Sequence, residues 1–382
     1  MRYAVTVLLI LCSTLYLKAQ SFQKLIEKLE VSALSSHEDV IIDFVGKIQN
    51  FPIIEGTEVI FLVNGKGDEP ELLADFNGFL NPRYIEDKTL GKMTQLSNTN
   101  WYFMKKKLAD DAVLNYKYRL GNKEELDPLN SNARNNFGEL VSYIQMPSAK
   151  QTHINTTLIK GEVSKKKFES KELKHTRSVF IYTPPNYQAL RALPVVYFHD
   201  GSFHLNDMHA AEVLDGLIDS GKIRPLIAVF DNPVIRGKEY RGDSGYRRYF
   251  ENELIPYIDS TYATNSNRGN RAVIGFSRGG LSALYLSHST PLFSKVGVFS
   301  PAIHPTSVSD FIVEIEGFDN EPDNVFITGA IYDYIWYNDA VELADAFKNS
   351  NVSVVFKEQS TGHNIPSWQT FLDDMLVTFF SN

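Results

Sequence analysis

The chain carries the pentapeptide Gly275-Phe276-Ser277-Arg278-Gly279, followed by Gly280. A serine hydroxyl is a poor nucleophile until a base is brought to it. The G-x-S-x-G pattern supplies the geometry for that. It turns a strand into a helix so sharply that the serine stands at the sheet's carboxyl edge, and its glycines remove side chains that would collide there. The flanking sequence agrees, with an apolar run Ala272–Ile274 before the turn and a helical pattern Leu281–His288 after it.

The base should follow the serine and the acid in chain order. His363, in Thr361-Gly362-His363-Asn364, fits, lying between the β-rich run Val352–Phe356 and the helical run Trp368–Phe380. The competing role for it is a surface helix cap. His288 is predicted on the outer end of the nucleophile helix, and His304 nears the site only if its loop folds inward. The acid is expected just after the run Asn324–Thr328, where Asp333 is the first carboxylate. Asp339 is the alternative, with helix capping as its ordinary role. Asp319 and Asp323 precede that run and fall on the wrong edge.

An oxyanion forming at the substrate carbonyl needs two backbone N–H donors. Arg278 should supply one. The loop after Val195–Phe198 should supply the other, through Gly201 or Ser202 in His199-Asp200-Gly201-Ser202. His199 and Asp200 look catalytic by type, but the triad is complete without them, so they are read as shaping this loop or as substrate-binding candidates. Trp336 is a third such candidate. It clusters with Tyr332, Tyr334 and Tyr337, which either stack on a planar acyl group or pack the core. The Arg278 side chain either meets an anionic substrate group or pairs with a nearby carboxylate.

These residues need a scaffold, and the second half of the chain reads as one. Strands are predicted at Arg177–Thr183, Leu193–Phe198, Pro225–Phe230, Ala272–Ile274, Val296–Phe299, Asn324–Thr328 and Val352–Phe356. Helical patterns separate them at Ala210–Ser220, Tyr246–Tyr262, Leu281–His288 and Ala340–Asn349. Apolar strands alternating with helices imply a mostly parallel sheet covered on both faces. With the serine turn, this predicts an α/β-hydrolase catalytic domain over residues 157–382. Residues 51–146 differ in texture. Short β-rich runs at Glu58–Val63, Leu72–Phe76, Trp101–Met104 and Leu114–Leu120 end at turn signals, implying an all-β sandwich. Residues 20–50 read as a helical lead-in and 147–156 as a polar linker.

Residues 1–19 read as a signal peptide, with Arg2, an apolar run from Ala4 to Leu17, and Ala19 at the expected cleavage site. An uncleaved anchor is the other reading. The only cysteine, Cys12, lies in this segment, so the mature chain would hold no disulfide and no cysteine-based zinc site. Periplasmic or secreted localisation follows as an expectation. The net charge of -8 argues against nucleic acid as a partner, and stable membrane insertion is not expected.

The catalytic half resembles the putative esterase family of α/β-hydrolases, which includes enterochelin (siderophore) esterases, feruloyl esterases and esterase D. Arg177–Tyr187, Val195–Gly201, Arg236 with Glu239-Tyr240, Glu253–Ile258, Gly275–Gly280, Ser300-Pro301 and Gly362-His363 carry the likeness. The first half resembles the immunoglobulin-like N-terminal domain of enterochelin esterases, through Asp75–Gly78, Trp101-Tyr102 and Leu126–Asn130. The resemblance implies a Ser277, Asp333 and His363 triad with no metal and no cofactor. It also implies a small-molecule ester or an esterified carbohydrate as substrate. Arg278 stands where the family commonly has Met or another apolar residue, His199–Ser202 departs from its usual loop, and Phe79 replaces a usual tryptophan. These departures bear on the siderophore substrate more than on the reaction.

The expectation is therefore a serine carboxylic-ester hydrolase working through an acyl-enzyme on a siderophore-type ester. The alternatives are a feruloyl or acetyl esterase acting on plant polysaccharide, and a non-catalytic binding protein built on a vestigial hydrolase domain. A peptidase on the same scaffold has no sequence feature in its favour.

Overall fold

A computed structural model describes residues 22–149, 157–303 and 306–381. The signal-peptide reading, Cys12, most of the linker and His304 lie outside these residues. The chain divides between Ala149 and Lys150 into two compact units.

Among the described residues the first unit holds nine strands in two antiparallel sheets. These are β1 (Ile53–Glu55), β2 (Glu58–Asn64), β3 (Glu71–Ala74), β4 (Thr94–Gln95), β5 (Trp101–Lys107), β6 (Val113–Leu120), β7 (Lys123–Glu125), β8 (Ala133–Asn136) and β9 (Glu139–Gln145). One sheet has the order β1-β2-β5-β4. The other runs β3-β6-β9-β8, with β7 paired to β6. Alternation along β2 sends its side chains to opposite faces. Phe61 meets Tyr116 of β6 edge-on at 5.1 Å, which joins the two sheets. Ile60 and Leu62 face the other way and pack against Phe22, Leu25, Ile41 and Phe44. Those residues belong to the helices Phe22–Val31 and His37–Val45. The lead-in is thus part of this unit's packing, and the unit is not all-β from its first described residue. Trp101 Nε1 fastens the second helix by donating to Glu38 Oε1 at 3.0 Å. The Asp75–Gly78 motif is a structural turn. The buried Asn77 side chain accepts from Ala74 N and donates to Leu72 O, both at 2.8 Å.

The second unit is built on β10 (Glu162–Ser170), β11 (His175–Thr183), β12 (Val195–Phe198), β13 (Ile227–Asp231), β14 (Arg271–Phe276), β15 (Lys295–Phe299), β16 (Asn324–Ala330) and β17 (Ser353–Gln359). They form one sheet in the order β10-β11-β13-β12-β14-β15-β16-β17. The first two pairings are antiparallel and all the rest are parallel. Both faces are covered, so central strands are apolar on both sides. Val195 and Tyr197 of β12 join one core with Tyr246, Phe250, Leu284 and Leu343. Val196 and Phe198 join the other with Leu214, Trp368, Leu372 and Phe379. This is the α/β-hydrolase arrangement. Its carboxyl edge gathers the loops after β12, β14, β16 and β17. The expected helix Tyr246–Tyr262 is broken by a π-turn at Phe250–Leu254, just before Pro256. Proline lacks the N–H that would continue the regular ladder. No helix among the described residues is long and apolar enough to cross a membrane.

Candidate active site

Ser277 sits between β14 and the helix Arg278–Ser289 with φ 53° and ψ −123°. Few non-glycine residues adopt this conformation, and it persists only where the surroundings enforce it. Here they do. Ser277 N donates to Phe299 O at 2.7 Å, and Ser277 O accepts from Gly280, Leu281 and Ala302 amides at 3.1–3.2 Å. The glycines are a steric requirement of the turn. A Cβ on Gly275 would stand 2.3 Å from the Gly279 carbonyl, and one on Gly280 would stand 2.8 Å from Val298.

His363 lies between β17 and the short helix Ile365–Gln369. Its Nδ1 is 2.6 Å from Asp333 Oδ2, and the carboxylate is buried. Two loops make this meeting possible. Ile331 N donates to Gln359 O and Tyr332 N to Thr361 O, each at 3.0 Å, so the segment after β16 is laced to the segment after β17. Asp333 Oδ1 also accepts from Trp336 N at 3.3 Å, which fixes the carboxylate plane. With Nδ1 as donor to Asp333, the ring's Nε2 is the nitrogen with a lone pair to accept a proton. Asp339 lies in the first turn of the helix Tyr337–Lys348, and Asp333 is the carboxylate on His363.

Aromatic rings connect this pair to the serine turn. The His363 ring lies 4.3 Å from Trp336 and meets Trp368 edge-on at 5.0 Å. Trp368 stacks on Phe276 at 4.3 Å and 12°, and Phe276 directly precedes Ser277. Trp368 Nε1 donates to Ser300 Oγ at 3.1 Å. His288, by contrast, turns its Nδ1 to Leu284 O on its own helix at 2.8 Å.

The loop after β12 is also fully organised. Asp200 takes a left-handed conformation, φ 52° and ψ 45°, and caps the helix Gly201–Asn206. A Cβ on Gly201 would stand 2.5 Å from the Phe230 backbone, so glycine is required there. Asp200 N donates to Tyr240 Oη and Ser202 N to Asn232 Oδ1, both at 2.8 Å. Of the two amides expected to complete the oxyanion hole, Ser202 is therefore already committed, and Gly201 is the better placed. Arg278 is the first residue of the helix that follows the serine.

His199 and Asp200, the substrate-binding candidates of this loop, are both buried. His199 Nδ1 lies 3.0 Å from Tyr246 Oη, and Tyr246 Oη in turn donates to Asp231 at 2.9 Å. Burial, helped by His204, Arg177 and Arg236, pushes the His199 pKa down to about 3, so the ring is neutral. Asp200 binds Arg236 through two bonds, Nε to Oδ1 at 2.8 Å and Nη2 to Oδ2 at 2.7 Å. Arg236, Asn232 and Trp368 are working parts of this region that motif reading alone does not pick out. Arg236 stands out in sequence only as part of the family resemblance, with Glu239-Tyr240.

The fold and this arrangement define an α/β-hydrolase with a serine turn. The sequence model of the family described as Putative esterase matches residues 170–364, just over half of the chain, and the chain belongs to that family. The Iron(III) enterobactin esterase of Escherichia coli K12 is 30% identical over 166 residues, covering 42% of this chain and 41% of that protein. An endo-1,4-beta-xylanase/feruloyl esterase of Xylanibacter ruminicola is 23% identical over 244 residues, covering 58% of this chain and 31% of that protein. The chain thus spans less than two thirds of the length of either relative. The crystal structure of the enterobactin esterase FES from Shigella flexneri in the presence of enterobactin shares the fold. It has a TM-score of 0.67 at 18% identity, over 84% of this chain and 92% of that one.

Proposed function

We propose that this protein is a serine carboxylic-ester hydrolase working through an acyl-enzyme. Ser277 attacks the ester carbonyl while His363 Nε2 takes its proton. Asp333 holds the imidazole in the required tautomer and offsets the imidazolium charge. The Gly201 and Arg278 amides receive the oxyanion. His363 then returns the proton to the leaving alcohol and activates the water that releases the acid. The observation that carries this reading is the 2.6 Å contact of His363 with the buried Asp333 carboxylate, delivered on the same sheet edge as the strained serine.

For substrate we favour a siderophore-type ester. The support is the Escherichia coli relative, whose name places it on iron(III) enterobactin. A feruloyl or acetyl ester on a plant polysaccharide is the second reading, favoured by the Xylanibacter relative's name. The paired antiparallel sheets support an immunoglobulin-like character for the N-terminal unit. The charged start and apolar run before Gln20 support export to the periplasm or medium. Turnover of a catecholate trilactone and of methyl ferulate by the purified full chain, with Ser277→Ala as control, tests the proposal. Preferred cleavage of the trilactone is expected. Equal activity of Ser277→Ala and wild type would overturn the serine mechanism, and cleavage of methyl ferulate alone would overturn the siderophore reading.

A further inference from the structure

The Asp200 carboxylate occupies an unusual place for a negative charge. Along the chain it directly precedes Gly201. In space its Oδ2 packs against Gly279, where an added Cβ would come within 2.9 Å of it. Gly279 directly follows Arg278. The carboxylate is therefore one residue removed from each of the two amides proposed to hold the oxyanion. It is buried, so water does not screen it. An uncompensated anion there would oppose the negative charge that develops on the substrate oxygen.

Arg236 supplies the compensation. Its guanidinium forms the two-bond fork with Asp200 and lies over the Tyr240 ring at 5.4 Å and the Phe276 ring at 5.9 Å. Its own position is set from below. Glu239 Oε1 accepts from Val234 N at 2.9 Å and Ile235 N at 2.7 Å, which starts the short helix that carries Arg236. Glu239 Oε2 is held by the buried Arg177 at 3.0 Å. The arginine side chain is 37% exposed whereas the aspartate side chain is 2% exposed. The pair is thus asymmetric: one charge reaches water and the other does not.

We propose that Arg236 is a positioning residue that cancels the charge of Asp200 at the oxyanion hole, so that this carboxylate can brace the oxyanion loop against the nucleophile helix without opposing catalysis. This inference rests on the serine-esterase reading above. It makes a prediction that a simple structural brace does not. Losing Arg236 leaves a buried anion beside the forming oxyanion. Losing the Asp200 charge leaves a partly hydrated cation, whose field favours the oxyanion.

The test is a double-mutant cycle in the full chain, with kcat and KM measured on p-nitrophenyl acetate and Ser277→Ala as the blank. Arg236→Gln should lower kcat about tenfold to hundredfold with little change in KM. Asp200→Asn should lose less kcat than Arg236→Gln, and the double variant should recover to within about threefold of Asp200→Asn. Equal losses in the two single variants, with no recovery in the double, would overturn the inference and leave the serine mechanism standing. Wild-type turnover by Ser277→Ala would overturn both. Should Arg236→Gln fail to fold, the comparison of Asp200→Asn with the double variant decides. A double variant tenfold or more below Asp200→Asn contradicts charge cancellation.

Discussion

His363 Nδ1 and Asp333 Oδ2 lie 2.6 Å apart across a separation of 30 residues. The contact is made by neighbouring loops after adjacent parallel strands, β16 and β17, whose register continues to Ala330 and Gln359. The backbone bonds from Ile331 and Tyr332 then carry the pairing past the sheet, up to the loop that holds His363.

That geometry separates two carboxylates that sequence position alone leaves in competition. Asp333→Asn replaces the acceptor on Nδ1 with a group that favours the wrong tautomer. It should lower kcat by about 10³–10⁴-fold while leaving KM within about threefold. Asp339→Asn should leave kcat within about threefold of wild type. Steady-state kinetics on one activated ester measures both, and a reversed ranking would remove Asp333 from the triad.

Two buried imidazoles give the fold an acid limit. Burial holds both His199 and His204 at about 3, far below the 6.5 of an exposed histidine. Between those values the unfolded chain binds more protons than the folded one. The stability these two rings contribute is therefore complete above about pH 6.5 and is lost as the pH drops toward 3, by up to about 2.7 kcal/mol per pH unit for the two together. Asp200 and Asp231 act in the opposite sense, because burial raises their pKa. His204 is flanked by the Phe198 and Phe276 rings at 4.7 and 5.3 Å, so phenylalanine suits its site. Urea midpoints from pH 7 to 4.5 should show a shallower loss for His204→Phe, by about one proton's worth of slope. Parallel profiles for variant and wild type would contradict this.

The serine turn predicts a sharp difference between two glycines. A Cβ at Gly275 meets backbone atoms of Gly279 and Gly280 at 2.3–2.8 Å, and backbone cannot move aside as a flexible side chain could. Gly275→Ala should cost more than about 3 kcal/mol or abolish soluble expression. At Gly237 nothing lies within 4 Å of the same position. Gly237→Ala should change stability by no more than about 0.5 kcal/mol. Thermal melting of the two variants checks both expectations.

The serine turn and the strands that carry the site were legible because both are local patterns. Val195–Phe198 and Ile227–Phe230 are apolar on every residue, which only a twice-covered strand requires. β10 was not legible. Its Glu162–Ser170 sequence holds three consecutive lysines and sits at the sheet's edge, mostly exposed, so no alternation marks it. The helix Val308–Glu316 carries a readable start, with Ser307 Oγ accepting from Asp310 N at 3.0 Å, and apolar residues at helical spacing in Val308, Phe311, Ile312 and Ile315, but over only nine residues. The Asp200–Arg236 fork and the Asn232 bond to Ser202 join loops 30 or more residues apart. Spacing along a chain carries no trace of such meetings until the sheet order is known.

The esterase reading depends first on Ser277 as the activated nucleophile. Treatment of the purified chain with a fluorophosphonate, followed by peptide mass mapping, reads this directly. One adduct per chain, on the peptide containing Ser277, abolished in Ser277→Ala and strongly slowed in His363→Ala, is the predicted result. An adduct on any other residue, or undiminished labelling of Ser277→Ala, would contradict it.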